Sequence, residues 1–134
     1  MKTQNDIGLR YTAALAGNPN VGKSTIFNAL TGMHQHTGNW PGKTVALAQG
    51  VCRYRGEAFR LVDLPGTYAL VSKSQEETLA AGFISGGEAD CVIAVCDATS
   101  LERSLILALQ VMELTDRVFV CVNLMDEAQK QGIE

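Results

Sequence analysis

A short segment near the start of the chain, residues 17–24, restricts its fold more than any other feature. It reads Gly-Asn-Pro-Asn-Val-Gly-Lys-Ser and matches the pattern G-x-x-x-x-G-K-[ST]. An apolar run over residues 11–16 precedes it, and residues 24–31 follow with apolar side chains at helical spacing. In such a turn, successive backbone N–H groups converge on phosphate oxygens at the positive end of a helix. The segment therefore predicts a strand, a phosphate-binding loop and a helix, with Lys23 on the β- and γ-phosphates and Ser24 as an oxygen ligand of Mg²⁺.

The rest of the chain alternates between apolar runs of strand length and segments with helical periodicity. This alternation is typical of an α/β fold with a mostly parallel sheet. Further strands are expected, the first two joined as a hairpin, over residues 44–54, 58–62, 91–96 and 118–122. Capping boxes at residues 74–77 and 99–102 predict the starts of two more helices. Residues 32–43 have no period and are predicted to form a loop. Within residues 101–114 an apolar stripe is predicted to pack in the core, made of Leu101, Leu105, Ala108, Leu109 and Met112.

Composition limits the kinds of protein that this chain can be. Its 134 residues are 46% hydrophobic and 19% charged, which suits one globular domain with its own core. The net charge is −3 and there is no basic run, so we expect no binding to nucleic acid. The four cysteines form no C-x-x-C pair, and the sequence shows neither a signal peptide nor an apolar run of membrane-spanning length. We therefore expect a soluble domain in a reducing compartment, the cytoplasm.

A second motif, Asp63-Leu-Pro-Gly66, follows the apolar residues Leu61 and Val62. A carboxylate at the end of a strand can hold Mg²⁺ through a water, and the Gly66 N–H can face a γ-phosphate. Alone, the pattern D-x-x-G also describes an ordinary turn between a strand and a loop. Its position 40 residues after Lys23 makes a nucleoside triphosphate site the better interpretation.

The choice of base depends on Asn123-Leu-Met-Asp126, which follows the predicted strand over residues 118–122. The Asp126 carboxylate can accept from the ring N–H and the exocyclic amino group of guanine, whereas adenine offers no such pair of donors. Each charge-assisted bond contributes roughly 1.5–3 kcal/mol, so this carboxylate favours guanine by a few kcal/mol. Asn123 is expected to tie its loop to the phosphate-binding loop. Without the other motifs N-x-x-D is only a helix N-cap pattern, but with them it predicts a guanine nucleotide.

With these motifs the chain resembles the Ras-like GTPases of the translation-factor class. More closely, it resembles the N-terminal G domain of the ferrous iron transport protein B family, through Gly38-Asn-Trp-Pro-Gly42 and Leu64-Pro-Gly-Thr-Tyr68 above all. The resemblance covers nearly the whole chain from about Thr12. It implies a three-layer P-loop G domain over residues 1–134, without its last strand and helix and without a second domain. It also implies slow GTP hydrolysis, because Thr67 occupies the position where some Ras-like proteins have a water-orienting glutamine.

The resemblance assigns roles to individual residues. Thr44 matches a threonine that closes on Mg²⁺ and the γ-phosphate. Asn20 matches an asparagine that helps hold K⁺ in potassium-stimulated relatives. The alternative role for Asn20 is that its side chain stabilises the turn. The implied catalytic residues are Lys23, Thr44 and Gly66, and the implied ligands of Mg²⁺ are Ser24, Thr44 and Asp63. The implied contacts to GTP or GDP are Gly17, Asn18, Asn20, Val21, Gly22, Lys23, Ser24, Thr25, Asp63, Gly66, Asn123, Met125 and Asp126.

The resemblance further implies a partner, a membrane permease region of the same full-length protein, with this domain on the cytoplasmic side of the inner membrane and ferrous iron as the transported ion. Oligomerisation is left open. Three departures stand out: Lys43 replaces an apolar residue, Leu124 replaces the lysine usual in GTPases, and no guanine loop of the Ser-Ala-Lys type is present. Two alternatives remain, a nucleotide-gated switch whose loops are ordered by GTP and a ribosome-assembly GTPase of similar domain type.

Overall fold

The strand that leads into the phosphate-binding motif is the first described element of the computed structural model, which describes residues 11–32, 35–39, 46–71, 74–124 and 129–132. The strands are β1 (Tyr11–Gly17), β2 (Gln35–Asn39), β3 (Ala46–Tyr54), β4 (Glu57–Asp63), β5 (Cys91–Asp97) and β6 (Val118–Asn123). The helices with described bounds are α1 (Lys23–Thr31), α2 (Gln75–Ser85) and α3 (Leu101–Leu114). A short 3₁₀ turn, Ala98–Ser100, leads into α3.

The described strands lie in one sheet with the order β2-β3-β4-β1-β5-β6. The central strand, β1, is parallel to both neighbours and pairs Ala14 with Val62 of β4 on one side and with Val92 of β5 on the other. β5 and β6 are also parallel, whereas β2 pairs antiparallel with β3, and β3 with β4, as the predicted hairpin requires. Three of the five pairings are parallel, and the predicted α/β fold with a mostly parallel sheet is confirmed.

Side chains of β1 are buried on both faces of the sheet, as expected of a central parallel strand covered by helices. On one face Ala14 belongs to a cluster with Phe83 of α2 and Val111 of α3. On the other face Leu15 belongs to a cluster with Phe27 of α1. The sheet is therefore the middle of three layers, which holds the end of β1 rigidly in place.

The starts of α2 and α3 follow different chemistry. Ser74 caps α2 as predicted, since its hydroxyl oxygen accepts from the backbone N–H of Glu77 at 3.1 Å. The capping box predicted at residues 99–102 is wrong. Asp97 instead accepts from the backbone N–H and the hydroxyl of Thr99, at 2.8 and 2.6 Å. The Thr99 hydroxyl, which was predicted to cap α3, therefore donates to the Asp97 carboxylate at the end of β5. Helix α3 begins after the 3₁₀ turn and has no side-chain cap.

The loop predicted over residues 32–43 is also wrong in part, because β2 lies within it. β2 pairs antiparallel with β3 from Gln35, opposite Gly50, to Asn39, opposite Ala46. A strand ladder is made by backbone groups, whereas sequence periodicity reports only which side chains are buried. A polar edge strand therefore gives no periodic signal.

Helix α3 buries a different face from the one predicted. Its buried residues are Ser104, Leu107, Ala108 and Val111, so only Ala108 of the predicted stripe is in the core. The remaining members of that stripe are exposed: Leu101, Leu105, Leu109 and Met112. The helix is apolar on more than one side, and its sequence therefore permits several stripes. No helix in the described ranges combines the length and apolar character needed to cross a membrane.

Candidate nucleotide-binding site

The loops that follow the parallel strands β4 and β1 lie together at one edge of the sheet, where β6 also ends. Such an edge is where ligands bind in open α/β sheets, because the loops that follow parallel strands converge there. An open cleft of about 380 Å³ lies at this edge. Its lining comes from these two loops and the start of α1: Asn18, Pro19, Asn20, Gly22, Lys23, Ser24 and Gly66.

The phosphate-binding loop begins α1 with unusual backbone geometry. Asn20 and Gly22 adopt left-handed conformations, with φ of 67° and 84°. No side chain caps the N-terminus of α1, and its first turn contains no acidic residue. The backbone N–H groups and the positive end of this helix therefore have no anionic side chain of their own. An anion is the partner that fits such a terminus, which agrees with the sequence prediction.

Glycine is required at two positions because neighbouring atoms leave no room for a side chain. A Cβ at Gly22 would collide with the amide nitrogen of Asn123. A Cβ at Gly17 would lie 2.9 Å from the carbonyl oxygen of Val95 and 3.1 Å from the side chain of Val21. The amide of Asn123 also donates to the carbonyl oxygen of Val21 at 3.0 Å. The predicted tie between the end of β6 and the phosphate-binding loop is present in the structure.

Lys23 is buried, with 8% of its surface exposed, at the first position of α1. Its ammonium group forms an ion pair with Asp63 and donates to the carbonyl oxygen of Leu64 at 2.8 Å. The two motifs that lie 40 residues apart in the sequence are therefore in direct contact. In this arrangement the Lys23 ammonium group is bound to the Asp63 carboxylate and the Leu64 carbonyl. To bind phosphate, Lys23 would have to exchange these two partners for phosphate oxygens.

The loop after β4 lies against the phosphate-binding loop. Leu64 N–H donates to the Leu15 carbonyl and Thr67 N–H to the Gly17 carbonyl, each at 3.1 Å. A Cβ at Gly66 would lie 3.1 Å from the Cα of Pro19. Gly66 thus approaches the other loop more closely than most residues could, which places its backbone at the cleft.

Asn18 is 97% buried beside the cleft, with 3% of its surface exposed. Its Oδ1 atom has no hydrogen-bond partner, the single such buried side-chain atom in the part of the chain that the structure describes. Leaving a buried acceptor unpaired costs about 1–3 kcal/mol. The uncapped N-terminus of α1 fits a bound anion, and the unpaired oxygen of Asn18 lies at the same cleft.

The remaining predicted residues divide into two groups. Ser24 and Thr25 are exposed in the first turn of α1, and Asn20 is exposed beside them. Thr44, Met125 and Asp126 lie outside the described residues, so their predicted roles stay predictions.

Sequence reasoning missed Gln110, in the middle of α3. Its side-chain oxygen accepts from the backbone N–H of Leu70 at 2.6 Å and so contacts the loop after β4. A polar residue within an apolar helix was the available signal, but without a structure such a residue cannot be told from a solvated one.

Comparison with known proteins identifies the family. A family model described as "Ferrous iron transport protein B" matches residues 11–134. The chain belongs to the ferrous iron transport protein B family. It is 54% identical over 104 residues to the "Fe(2+) transporter FeoB" of Methanocaldococcus jannaschii, which covers 78% of this chain and 16% of that relative. The protein of the same name from Escherichia coli strain K12 is 45% identical over 128 residues, covering 92% of this chain and 17% of the relative.

Solved structures of the family agree with the fold. The crystal structure of the G domain of the T. maritima FeoB iron transporter superimposes with a TM-score of 0.83 at 46% identity, covering 90% of this chain and 76% of that one. The cytosolic domain of the same transporter in its GMPPNP form gives 0.84 at 46% identity, covering 91% and 48%. The chain spans about one sixth of the length of these curated relatives. Membership of this family disfavours the ribosome-assembly GTPase.

Proposed function

We propose that this chain is the GTP-binding domain of a ferrous iron transporter, which hydrolyses GTP slowly and regulates or powers iron uptake by a membrane permease region of the same protein. The observation that carries the proposal is the direct contact of Lys23 at the start of α1 with Asp63 at the end of β4. This contact joins Lys23, the predicted phosphate-binding lysine, to the start of the loop after β4, which would meet the γ-phosphate. Solved relatives carry GDP in one form and GMPPNP in another, which supports a guanine nucleotide as the ligand.

The phosphates occupy the cleft in front of α1. Backbone N–H groups of residues 20–24 and the positive helix end attract their charge, and Lys23 turns from Asp63 to the β- and γ-phosphates. The backbone of Gly66, held close to Pro19, meets the γ-phosphate. Gly17 and Gly22 have no side chains, so the backbone of this loop can lie directly against Val95 and Asn123.

Mg²⁺ fits the donor set at this site. Ser24 and Asp63 offer the hard oxygen ligands that Mg²⁺ prefers, with Thr44 as the third predicted ligand. Within the described residues no group of three or more His, Cys, Asp or Glu side chains could hold a metal ion alone. An ion bound jointly by a few side chains and phosphate oxygens would neutralise phosphate charge at this site.

Guanine is recognised by the loop that follows β6. The Asp126 carboxylate accepts from the two donors on the guanine edge, and Met125 is a further proposed contact to the nucleotide. Asn123 fixes this loop to the phosphate-binding loop through Val21. The end of β6, from which the proposed base-binding residues follow, is therefore joined to the phosphate-binding loop.

Hydrolysis proceeds by in-line attack of water on the γ-phosphorus, with the new P–O bond forming as the bond to the departing GDP breaks. Lys23, Thr44 and the Gly66 N–H stabilise the charge of the transition state. Thr67 is only 6% exposed, and its N–H is bound to Gly17, so it does not orient the water as a glutamine would. We therefore expect a slow intrinsic rate, on the order of 10⁻⁴ to 10⁻² s⁻¹.

Asn20 is the proposed ligand of K⁺. It is exposed at the cleft, and its left-handed backbone places it at the turn of the phosphate-binding loop. We expect hydrolysis to be faster in KCl than in NaCl at equal ionic strength, and Asn20→Ala to abolish the difference. Equal rates of the wild-type chain in the two salts would exclude this role.

Binding of fluorescent GDP, GTP, ADP and ATP to the purified chain tests the base assignment. We expect guanine nucleotides to bind more tightly, and Asp126→Asn to shift the preference toward xanthine nucleotides. Asp116→Asn is the matched control, since Asp116 is exposed just before β6 at the opposite end of that strand. If the wild-type chain binds adenine and guanine nucleotides equally, the assignment of residues 123–126 is wrong.

A second experiment separates a switch from an energy-coupled transporter. The full-length protein is placed in lipid vesicles, and uptake of Fe²⁺ is followed with GTP, with GMPPNP or with GDP. Uptake that GMPPNP supports as well as GTP indicates a nucleotide-gated switch. Uptake that requires GTP indicates that hydrolysis powers transport, and uptake independent of nucleotide contradicts both.

A further inference from the structure

Two side chains of α3 contact the loop over residues 64–71, which we call the γ-loop. The side-chain oxygen of Gln110 accepts from the backbone N–H of Leu70 at 2.6 Å. The guanidinium carbon of Arg103 lies 5.7 Å from the centre of the Tyr68 ring, within the range of a cation–π interaction. These contacts attach the second half of the γ-loop to α3.

The two α3 residues lie on one side of the helix. Arg103 and Gln110 are seven positions apart, about two helical turns, so their side chains point in nearly the same direction. Leu107 lies between them on this side and is buried, so the side that carries Arg103 and Gln110 adjoins the core face of the helix. Gln110 is half-buried at the border between the core and solvent. The contact with Leu70 is thus additional to the packing that holds α3 on the sheet.

The first half of the γ-loop is attached to the phosphate-binding loop instead. The bond from Thr67 N–H to Gly17 joins main chain to main chain, and Gly66 lies tightly against Pro19. Gly66 therefore lies between main-chain bonds to β1 and the phosphate-binding loop at Leu64 and Thr67, and the attachments to α3 follow directly after them, at Tyr68 and Leu70. The Gln110 attachment is made by a side chain, so it can be removed by substitution without altering the backbone.

We propose that Gln110 is a positioning residue for recognition of the γ-phosphate. It holds the second half of the γ-loop on α3, which limits the movement of the loop, so that the Gly66 backbone is already close to the place of the γ-phosphate before GTP binds. Preorganisation of this kind favours the ligand that uses the ordered group over the ligand that does not. Gln110 therefore increases affinity for GTP more than for GDP, and Arg103 acts in the same direction through Tyr68. This inference rests on the proposed function.

The test compares Gln110→Met with Gln110→Glu in the whole chain. Methionine keeps the length of the side chain but lacks a strong acceptor, whereas glutamate retains one. Loss of one hydrogen bond corresponds to a change of about 2- to 10-fold. We expect Q110M to reduce the ratio of GTP to GDP affinity by that factor, Q110E to restore it, and Glu113→Ala, an exposed change on the same helix, to leave it unchanged.

Amide hydrogen exchange of the nucleotide-free chain provides a second measurement. We expect faster exchange at Leu70 in Q110M than in the wild type or Q110E. If Q110M weakens GTP and GDP equally, or Q110E fails to restore the ratio, Gln110 has only a structural role and the inference is wrong. If the wild-type chain binds no guanine nucleotide, the proposed function itself fails, whatever the exchange rates.

Discussion

The amide nitrogen of Asn123 lies 3.0 Å from the carbonyl oxygen of Val21, a residue 102 positions earlier in the chain. The same amide occupies the space where any side chain at Gly22 would have to begin. Asn123 ends a strand near one side of the sheet, whereas Val21 and Gly22 follow the central strand. One side chain thus connects the candidate base-binding loop with the candidate phosphate-binding loop.

Asn123→Ala is expected to weaken GDP and GTP binding together, by about 2- to 10-fold, because the lost hydrogen bond aligned the two loops. Fluorescent-nucleotide titration measures this change, with Gln129→Ala as an exposed control. The same substitution removes the atom that Gly22→Ala would strike. We therefore expect Gly22→Ala to reduce the free energy of unfolding less in the Asn123→Ala background than in the wild type. Additive costs in urea unfolding would contradict the steric explanation.

Gly66→Ala is expected to weaken GTP binding more than GDP binding. The new Cβ would lie 3.1–3.3 Å from Pro19, which is closer than most Cβ contacts, so the γ-loop must withdraw from the phosphate-binding loop. Titration with both nucleotides checks this outcome. Gly87→Ala is the control: its left-handed φ of 76° makes alanine strained there, but nothing lies within 4 Å of its Cβ position. We expect Gly87→Ala to lower stability and to leave the affinity ratio unchanged.

Phe27→Ala is expected to reduce the free energy of unfolding by about 3–5 kcal/mol, since Phe27 is fully buried between α1 and the sheet. Phe119→Ala removes the same ring from β6, where 64% of the residue is exposed, and we expect a change below about 1 kcal/mol. Urea unfolding followed by circular dichroism compares the two variants. Similar losses from both would show that the three-layer core is not organised as described.

Cys96 is expected to resist alkylation in the folded chain. It is fully buried on β5, and burial, followed by the proximity of Cys121, raises the pKa of its thiol. A raised pKa leaves less reactive thiolate at any given pH, so labelling by iodoacetamide at pH 8 should be slow. Cys52, half-buried on β3, is the internal comparison. Peptide mass spectrometry after labelling, with and without urea, checks this, and early labelling of Cys96 in the native chain would contradict it.

The sequence predicted those parts of the fold and site that depend on local backbone rules. The motif at residues 17–24 placed the first strand, turn and helix correctly because its glycines and its lysine describe one local geometry. The contact of Asn123 with the phosphate-binding loop was predicted, because parallel strands bring their carboxyl ends to the same edge. The contact of Asp63 with Lys23 was not predicted, since Asp63 was interpreted only as a ligand of Mg²⁺.

Other features depended on neighbours that the sequence does not display. β2 is held by backbone bonds to β3, which leave no mark on side-chain periodicity. The buried face of α3 was mistaken because apolar residues occupy several of its faces, and only the sheet beneath decides between them. The contact from Gln110 to Leu70 joins a side chain to a backbone group, and no sequence pattern specifies such a pair.

Strand β6 is last in the order of the described strands, and this position affects which part of the candidate nucleotide site opens first on heating. Among the described strands, β6 pairs with β5 alone, and Phe119, Val120 and Val122 are exposed along it. Elements with few buried contacts open locally at lower free energy than the central strands. The candidate base-binding loop follows β6, whereas the candidate phosphate-binding loop follows β1, which has a neighbour on both sides. On warming, β6 should therefore open before β1, so that the proposed preference for guanine is lost before the proposed binding of phosphate.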